Sequence, residues 1–451
     1  MSIFKACDIR GEYGRELTEA HARRLGQAVG TRLRGQTVVV GGDVRLSTPP
    51  LKAALIEGLV TTGCRVLDLG LVPTPVLYFA RRALQAGASI MVTASHNPAP
   101  DNGFKLMLGD RPPGEETLRA IAAEMETGAF AQGRGSVRAL DVTPDYEAFI
   151  VERFAPGGSG RLVIDCGNGC YSELAPRVLE RLGYRVTRLF CQPDGRFPNR
   201  PPNPALAGNL RRLSRRVIET DAALGIAFDG DGDRVAFVDE TGKPAEAERV
   251  AVLYARRLLA DHASRLTPHA SPPEVIYDIK SSRVLAEAVE EAGGRAIVER
   301  SGHSFIKTAL LERHALFAAE ISGHFFFQEL GGDDGLYASC LLLQILQEAG
   351  STLAGLLAGV PRYPITPDIR LPCTNEQARA ILEQLKAAFA GYPIDLLDGV
   401  RIDFGDGWAL ARPSVTEPLI TLRFEAHSEE RLREIQALVR RRAPGLAGIW
   451  S

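Results

Sequence analysis

Two hydrophobic periods alternate along the first third of the chain. In TEAHARRLGQAVGTRL (18–33), apolar and small residues recur at helical spacing, whereas TVVVGGD (37–43) is a short β-branched run. By these two patterns the sequence predicts helices over 18–33, 49–63 and 76–86 and strands over 37–43, 64–70 and 88–95. Such alternation indicates βαβ units around a largely parallel sheet with helices on its faces.

The same order of elements restarts twice, without a close sequence repeat. The second stretch predicts strands over 160–169, 184–190, 224–228 and 235–238 and helices over 172–183 and 210–222. The third predicts helices over 249–263 and 282–293 and strands over 274–280, 295–300 and 316–327. The last ninety residues instead alternate strands with Gly-rich turns over 399–426 and close with a helix over 428–443.

A chain of 451 residues is too long for one hydrophobic core, so several domains are expected. We predict three α/β domains with mixed or parallel sheets and a smaller C-terminal α+β domain around a central cleft. The predicted boundaries are 1–150, 151–246, 247–361 and 362–451, and VPRYPITP (360–367) is the predicted linker before the last domain.

Composition excludes some classes of protein. The net charge of −2 and a pI of about 6.5 argue against a nucleic-acid partner. No apolar run approaches the roughly 20 residues that cross a membrane, and no signal core precedes the first domain, so we expect a cytoplasmic protein. The seven cysteines are sparse, and Cys166 with Cys170, the only close pair, does not complete a zinc site.

The most informative motif is FDGDGDRVAFVDE, in which Asp229, Asp231 and Asp233 alternate with glycines. Three carboxylates so close repel one another unless a cation lies among them, and hard oxygen ligands favour Mg²⁺ or Ca²⁺. An EF-hand is rejected, because its sixth loop position needs glycine and is Arg234 here, and because strands flank the loop. A solvated acidic turn is the remaining structural alternative. Arg234 beside a cation site suits a phosphoryl group.

A second motif, MVTASHNPAPDNGFKL (91–106), places Ser95 in a loop directly after a predicted strand. On this stretch alone, Ser95 is a nucleophile, a ligand or only a turn residue. Lys105 follows in the same motif as a candidate cation.

The segment AEISGHFFF has Glu320, Ser322 and His324 at alternate positions. In an extended segment these side chains project from one face, which suits the hydroxyls of a sugar-like ligand. An ordinary edge strand with its polar face in water is the alternative.

Other polar residues lie in loops that follow strands. ARPSVTEP (411–418) offers one guanidinium and two hydroxyls between stiffening prolines, a candidate phosphate cradle, or else a plain turn. In open α/β sheets ligands bind beyond the carboxyl ends of the strands, so we expect these loops to meet in one cleft. The candidates outside the three motifs above are Arg10, Lys280, His303, Arg412, Ser414 and Thr416.

The ordered set DIRG (8–11), TASHNP (93–98), DGDGDR (229–234), EISGH (320–324) and RPSVTEP (412–418) resembles the α-D-phosphohexomutase family, within it the phosphomannomutase/phosphoglucomutase branch. The resemblance spans nearly the whole chain and implies a serine phosphorylated in the resting enzyme, Ser95. It also implies Mg²⁺ held by the phosphoserine and the three aspartates. Implied sugar ligands are Glu320 and Ser322, and the implied phosphate loop contains Arg412, Ser414 and Thr416. The resemblance implies cleft positions for Arg10, Lys105, Arg234, Lys280, His303 and His324.

The implied reaction interconverts hexose 1-phosphate and hexose 6-phosphate, of mannose or glucose, through a hexose 1,6-bisphosphate. Arg10, Lys105 and His303 are candidates for proton transfer or its electrostatic support. Three departures from the family pattern are Cys7, Ala319 and Val415. The alternatives are a phosphoglucosamine mutase, which Ile321 disfavours because that branch resembles EQSGH, a metal-dependent sugar phosphatase, and a non-catalytic sugar-phosphate-binding protein. A monomer or a loose dimer is expected.

Overall fold

A computed structural model describes residues 3–5, 8–154, 157–264, 271–413 and 418–450 of the chain. The four sheets use strands from four successive stretches of the sequence. The precise domain boundaries at 150, 246 and 361 stay a prediction. Of the helices in the described part, none has both the length and the apolar character needed to cross a bilayer.

The first domain contains a six-stranded mixed sheet in the order β1-β5-β4-β2-β3-β6. Its strands are β1 (Ile9–Glu12), β2 (Thr37–Gly42), β3 (Arg65–Leu71), β4 (Ala88–Val92), β5 (Asp101–Leu108) and β6 (Ser136–Ala139). Its helices are α1 (Glu19–Leu33), α2 (Thr48–Thr61), α3 (Thr74–Ala83) and α4 (Glu115–Thr127), and α5 (Thr143–Phe154) leads to the second domain.

The second domain has a four-stranded sheet in the order β10-β9-β7-β8. Its strands are β7 (Arg161–Asp165), β8 (Arg185–Leu189), β9 (Leu224–Phe228) and β10 (Val235–Val238). Its helices are α6 (Leu174–Arg181) and α7 (Arg211–Glu219), with a short 3-10 helix at Ala207–Leu210.

The third domain has a five-stranded sheet in the order β12-β11-β13-β14-β15. Its strands are β11 (Glu274–Asp278), β12 (Arg295–Glu299), β13 (Phe317–Ala319), β14 (Phe325–Phe327) and β15 (Gly332–Asp333). Its helices are α8 (Ala247–Ala263), α9 (Arg283–Glu291), α10 (His303–Arg313), α11 (Gly335–Ala349) and α12 (Leu353–Ala358).

The fourth domain has an antiparallel sheet in the order β16-β20-β19-β18-β17. Its strands are β16 (Ile369–Pro372), β17 (Ile394–Asp395), β18 (Val400–Asp403), β19 (Gly407–Pro413) and β20 (Leu419–Ala426). Its helices are α13 (Asn375–Ala388), α14 (Glu429–Arg442) and α15 (Pro444–Ala447). The expected three α/β domains and one smaller α+β domain are therefore confirmed.

One strand arrangement recurs in the first three sheets. A central strand (β2, β7 or β11) has parallel neighbours on both sides, and one neighbour (β4, β9 or β13) turns back into an antiparallel hairpin with β5, β10 or β14. The hairpin turns carry Ser95, the three aspartates and the segment Glu320–His324. The same topological position in three domains thus supplies the three central parts of the cleft.

The hairpin turn of the third domain differs from the sequence prediction. An extended segment was expected to project Glu320, Ser322 and His324 from one face, and that expectation is wrong. The amide of Gly323 donates to the Glu320 carbonyl at 3.0 Å, and Gly323 has a φ of 93°. The left-handed conformation, which glycine adopts without steric cost, reverses the chain between β13 and β14. The alternation of polar residues here marks a tight turn and not a strand.

The sequence pattern also predicted no strand directly after Ser95 and assigned no secondary structure to Lys105. Lys105 lies within β5, opposite Met91 in β4. The polar start of β5 and a buried lysine inside it obscure the strand signal.

The hydrophobic cores explain how the domains are joined. One cluster of buried side chains is continuous from the first domain to the third, including Val76, Ile164 and Leu336. The fourth domain has a separate cluster, with Ile420 and Phe424 at its centre. A small cluster around Trp408 joins the fourth domain to the third. Because inter-domain motion is expected where the shared apolar surface is small, we expect the fourth domain to move more than the other three.

Candidate active site

Ser95 occupies a strained position at the end of the first-domain hairpin. It has a φ of 50°, an uncommon conformation for a residue with a side chain. Its amide donates to Oγ1 of Thr93 at 2.8 Å, and its buried hydroxyl donates to Oδ2 of Asp229 at 2.7 Å. The second hairpin loop therefore touches the serine directly. A non-glycine residue held in this conformation is typical of a functional site.

Arg45 binds the backbone of the loop that contains Ser95, called the serine loop below. Arg45 is 1% exposed, and its Nε pairs with Asp43 at 3.0 Å. The two terminal nitrogens donate to four backbone carbonyls of the loop, those of Ser95, Asn97, Pro98 and Asp101. Arg45 was not among the site residues predicted from the sequence. The signal available in the sequence was the position of Arg45 in the loop after β2, because β2 is the neighbour of β4, the strand that leads to Ser95.

The acidic loop approaches the serine loop closely. A Cβ at Gly230 would lie 2.6 Å from the Ser95 carbonyl oxygen, so only glycine fits there. Oδ1 of Asp229 accepts the amides of Gly232 and Arg234 at 2.9 and 3.2 Å. Burial, together with the charges of Asp231 and Asp233, raises the pKa of Asp229 well above its ordinary value.

Lys105 lies among the carboxylates. Its ammonium donates to Oδ2 of Asp231 at 2.7 Å and to Oδ2 of Asp233. Burial alone would lower the pKa of Lys105, but Asp231 and Asp233 outweigh that effect and raise it well above its ordinary value. Lys105 therefore remains a cation in the cleft.

The carboxylate triplet fits a divalent cation. One oxygen from each of Asp229, Asp231 and Asp233 lies within 4.8 Å of the others, and all three residues are buried. Oδ1 of Asp231 and Oδ1 of Asp233 are buried without a hydrogen-bond partner among the described residues. Unpaired buried carboxylate oxygens are costly, and hard oxygen donors suit Mg²⁺. The donor set therefore matches the ligands expected for Mg²⁺.

A second group of side chains joins the acidic loop to the third domain. Nε of Arg234 donates to Nε2 of His324 at 2.7 Å, and Nδ1 of His324 lies 2.6 Å from Oδ2 of Asp333. Lys307 lies behind them, with its ammonium 3.6 Å from Oδ1 of Asp333 and 3.2 Å from the ring centroid of Tyr78. Burial lowers the pKa of Lys307 to about 8.

Sequence reasoning missed Asp333 and Lys307. Asp333 is in the short strand β15 and Lys307 is on α10, and both are buried. A lysine on the buried face of a helix was the available signal, since a buried lysine needs a partner. Neither its partner nor the position of that partner could be read from spacing.

The turn that follows β13 has unpaired polar atoms. Oε2 of Glu320 and Oγ of Ser322 are buried and have no hydrogen-bond partner among the described residues. The ring of His303, at the start of α10, stacks on the ring of His324 with 5.8 Å between centroids. Burial lowers the pKa of His303 well below its ordinary value, so this ring is neutral at pH 7. These groups could bind the hydroxyls of a sugar.

Two predicted residues form ion pairs with residues of the fourth domain, Lys280 from the third domain and Arg412 from within the fourth. Nζ of Lys280 is 3.2 Å from Oδ2 of Asp368, and Arg412 contacts Oδ2 of Asp398 at 3.0 Å. Their observed ion pairs thus do not include the serine or the carboxylate triplet. Ser414 and Thr416 lie outside the described residues.

Arg10, on β1, lies beside the serine loop. Its Nε pairs with Asp8 at 2.7 Å, and its Nη1 donates to Oδ1 of Asn97 at 2.9 Å. The predicted residues that direct contacts join into one cluster are Ser95, Lys105, Asp229, Asp231, Asp233, Arg234 and His324.

Comparison with known proteins finds matching family models in all four parts of the chain. The models describe phosphoglucomutase/phosphomannomutase α/β/α domain I at residues 1–132, domain II at 145–242, domain III at 246–363 and the C-terminal domain at 369–442. Together they cover most of the chain.

Whole-chain relatives agree with these models. A phosphomannomutase/phosphoglucomutase of Pseudomonas aeruginosa is 41% identical over 446 residues, which is 97% of this chain and 95% of the relative. A probable phosphoglucosamine mutase of Methanopyrus kandleri is 38% identical over 448 residues, 96% of each chain. A crystal structure of a phosphoglucomutase/phosphomannomutase family protein from Burkholderia thailandensis superposes with a TM-score of 0.91 at 38% identity, covering 99% of this chain and 98% of that one.

The four-domain architecture and the serine loop facing a carboxylate triplet define an α-D-phosphohexomutase. Within that class, the chain belongs to the phosphoglucomutase/phosphomannomutase family.

Proposed function

We propose that this protein is a phosphohexomutase that interconverts the 1-phosphate and 6-phosphate of mannose or glucose. Ser95 would carry a phosphoryl group and exchange it with the sugar through a hexose 1,6-bisphosphate. The observation that carries the proposal is the buried contact of the Ser95 hydroxyl with Asp229, at the edge of a carboxylate triplet and near three cationic side chains, Arg10, Lys105 and Arg234.

The cleft is suited to hold the charge of a transferring phosphoryl group. Ser95 and the three aspartates would hold Mg²⁺, which when bound neutralises negative charge on the phosphoryl oxygens. Lys105 keeps its proton and so contributes a fixed positive charge beside the same carboxylates. Arg234 and Arg10 offer planar guanidinium groups that can bind phosphoryl oxygens in pairs.

Each transfer to the sugar also requires a group that accepts the proton of the attacking hydroxyl. Lys105 is a poor acceptor because its pKa is raised, and a guanidinium such as that of Arg10 has donors but no acceptor atom, so we assign both to electrostatic support. We assign the proton to His324, because Asp333 lies beside its Nδ1 and can stabilise the protonated ring. Arg234, which donates to Nε2 of His324, would exchange that contact for the phosphoryl group.

Sugar binding is assigned to the hairpin turn of the third domain. Glu320 and Ser322 present buried oxygen atoms that a sugar hydroxyl would pair. His303 would lie beside the same sugar. Arg412, Ser414, Thr416 and Lys280 would hold the phosphate that does not react. The bisphosphate must turn around in the cleft, and the separate core of the fourth domain allows the movement that this requires.

A side-by-side assay tests the proposal. Purified protein with Mg²⁺ and a trace of glucose 1,6-bisphosphate is given glucose 1-phosphate, mannose 1-phosphate or glucosamine 1-phosphate. We expect the 6-phosphates of glucose and mannose to form without release of inorganic phosphate. Stoichiometric phosphate release would instead identify a phosphatase, and binding without turnover a non-catalytic protein.

The assay with glucosamine 1-phosphate tests the second candidate function, that of a phosphoglucosamine mutase. The name of the Methanopyrus relative favours this candidate. Ile321, in the third-domain hairpin turn to which we assign sugar binding, argues for the glucose and mannose substrates. A preference for glucosamine 1-phosphate would reverse this assignment. The proposal includes a monomer or loose dimer in the cytoplasm, with no nucleic-acid or membrane partner, in keeping with a net charge of −2.

A further inference from the structure

Two cysteines that are distant in sequence meet at the carboxyl ends of adjacent strands. Cys166 follows β7 and Cys191 follows β8, and these strands pair in parallel, with Asp165 opposite Leu189. The amide of Cys166 donates to the Leu189 carbonyl at 3.2 Å. The two sulfur atoms lie 3.1 Å apart and share a hydrogen bond. The sequence drew attention to Cys166 with Cys170, but the fold pairs Cys166 with Cys191.

The two thiols differ in accessibility and acidity. Cys191 is only partly buried, and its hydrogen bond with Cys166 lowers its pKa. Cys166 is fully buried, and burial raises its pKa well above the ordinary value. A partly exposed thiol of lowered pKa beside a buried second thiol is the arrangement of an attacking and a resolving cysteine.

We propose that Cys166 and Cys191 form a reversible dithiol–disulfide site that takes a small disulfide such as oxidised glutathione as its oxidant. The Cys191 thiol loses its proton to solvent, and its thiolate attacks one sulfur of the small disulfide, which forms a mixed disulfide and releases one small thiolate. The Cys166 thiol then loses its proton to that thiolate and displaces the second half of the small disulfide from Cys191. The small thiolate that is released last, in the second step, takes up a proton from solvent. One protein disulfide and two small thiols result, so two electrons and two protons leave the protein.

Little movement is needed to form this bond. The sulfur atoms must approach by about 1 Å to reach the ~2.05 Å of a disulfide. Each cysteine lies just beyond the end of its strand, where the backbone is less constrained than inside the ladder. The neighbouring loops are already joined, since the amide of Asn168 donates to the Phe190 carbonyl at 2.8 Å.

The cysteine pair lies next to the loop that contains the three aspartates. The amide of Gly169 donates to the Cys166 carbonyl at 2.8 Å, and the amide of Cys170 donates to the Gly230 carbonyl at 3.0 Å. Gly230 in turn packs against the Ser95 carbonyl. A shift of Cys166 on oxidation is therefore transmitted through one short loop to the residues around Ser95. We expect the oxidised protein to lose part of its turnover and a reductant to restore it.

The test uses the full-length protein in glutathione buffers of increasing oxidising strength, with remaining thiols trapped by N-ethylmaleimide. We expect the oxidised protein to carry two fewer N-ethylmaleimide adducts than the reduced protein, and a proteolytic peptide with Cys166 to be linked to one with Cys191. Dithiothreitol should reverse both changes and restore turnover. Cys191→Ser should abolish the link, whereas Cys373→Ser, in the fourth domain, should leave it intact.

Three outcomes would overturn the proposal. These are a mixed disulfide that persists on Cys191, a link from Cys166 to Cys170, and the absence of any link under oxidising conditions. The test uses Cys191→Ser and not Cys166→Ser, because Cys191 is partly exposed and tolerates a small polar side chain better than the buried Cys166. Turnover that is unchanged by complete, reversible oxidation would overturn the transmission to the active site.

Discussion

The hydroxyl of Ser95 donates to Oδ2 of Asp229 at 2.7 Å, although 134 residues separate them. This contact joins the hairpin turn of the first domain to that of the second. The phosphoryl group that we propose on Ser95 would lie beside three carboxylates and would need compensating positive charge. Lys105 supplies positive charge in the structure, and Mg²⁺ would add more.

Replacing Ser95 by alanine should remove the phosphoryl carrier. We expect Ser95→Ala to lose hexose 1-phosphate conversion by about three orders of magnitude or more, because without a nucleophile no phosphoenzyme forms. Intact mass should show no phosphoryl group, whereas calorimetry should still detect hexose phosphate binding. Ser89→Ala is the matched control, since Ser89 is equally buried in β4 but makes no side-chain hydrogen bond to the described residues. Full activity in Ser95→Ala would refute the phosphoserine proposal.

Removing the Lys105 ammonium should strengthen Mg²⁺ binding while it lowers turnover. Lys105 neutralises Asp231 and Asp233, so a divalent cation must compete with it. We expect Lys105→Met to bind Mg²⁺ about tenfold more tightly, equivalent to about 1.4 kcal/mol, in isothermal titration calorimetry. Lys52→Met removes a lysine paired with Asp68 away from this loop and should leave the affinity unchanged. Weaker Mg²⁺ binding in Lys105→Met would contradict the competition.

Arg45 should be essential for the stability of the serine loop. Arg45→Met leaves the buried Asp43 carboxylate and four loop carbonyls without their partner, so the free energy of unfolding should fall by about 3–5 kcal/mol. Urea denaturation followed by circular dichroism measures this. The control Arg23→Met breaks a half-exposed pair with Glu57 and should cost about 1 kcal/mol or less. Equal losses in the two variants would show that the loop does not depend on Arg45.

Stability should fall with rising pH because of Asp334. Burial raises the pKa of Asp334 to about 7, and the hydrogen bonds from Tyr146 and Tyr171 do not offset this. Between about pH 4 and 7 the folded protein retains a proton that the unfolded chain has released, so stability decreases as pH rises through this range. Below pH 4 both states hold the proton, and above pH 7 neither does.

Asp334→Asn should remove this dependence. The wild type should lose roughly 3–4 kcal/mol relative to the variant between pH 4 and 7. Urea denaturation at a series of pH values measures the difference. The control is Asp141→Asn, because the exposed Asp141 also accepts the amide two residues ahead, as Asp334 does. A constant difference between wild type and Asp334→Asn across this range would refute the prediction.

Local patterns in the sequence were sufficient for several conclusions. The helical and strand periods reflect which side of each element is buried, so they predicted most elements and the α/β and α+β classes of the domains. The aspartate triplet was recognisable because its carboxylates are adjacent in sequence. The motif set from Asp8 to Pro418 was enough to indicate the family.

Tertiary structure alone decided how these parts meet. Strand order placed three hairpin turns in one cleft, brought Asp333 and Lys307 behind His324, and set Arg45 beneath Ser95. It also turned the segment Glu320–His324 into a tight reversal and paired Cys166 with Cys191. Periodicity reports burial along one element, whereas these contacts depend on which strands become neighbours, and residues far apart in sequence determine that jointly.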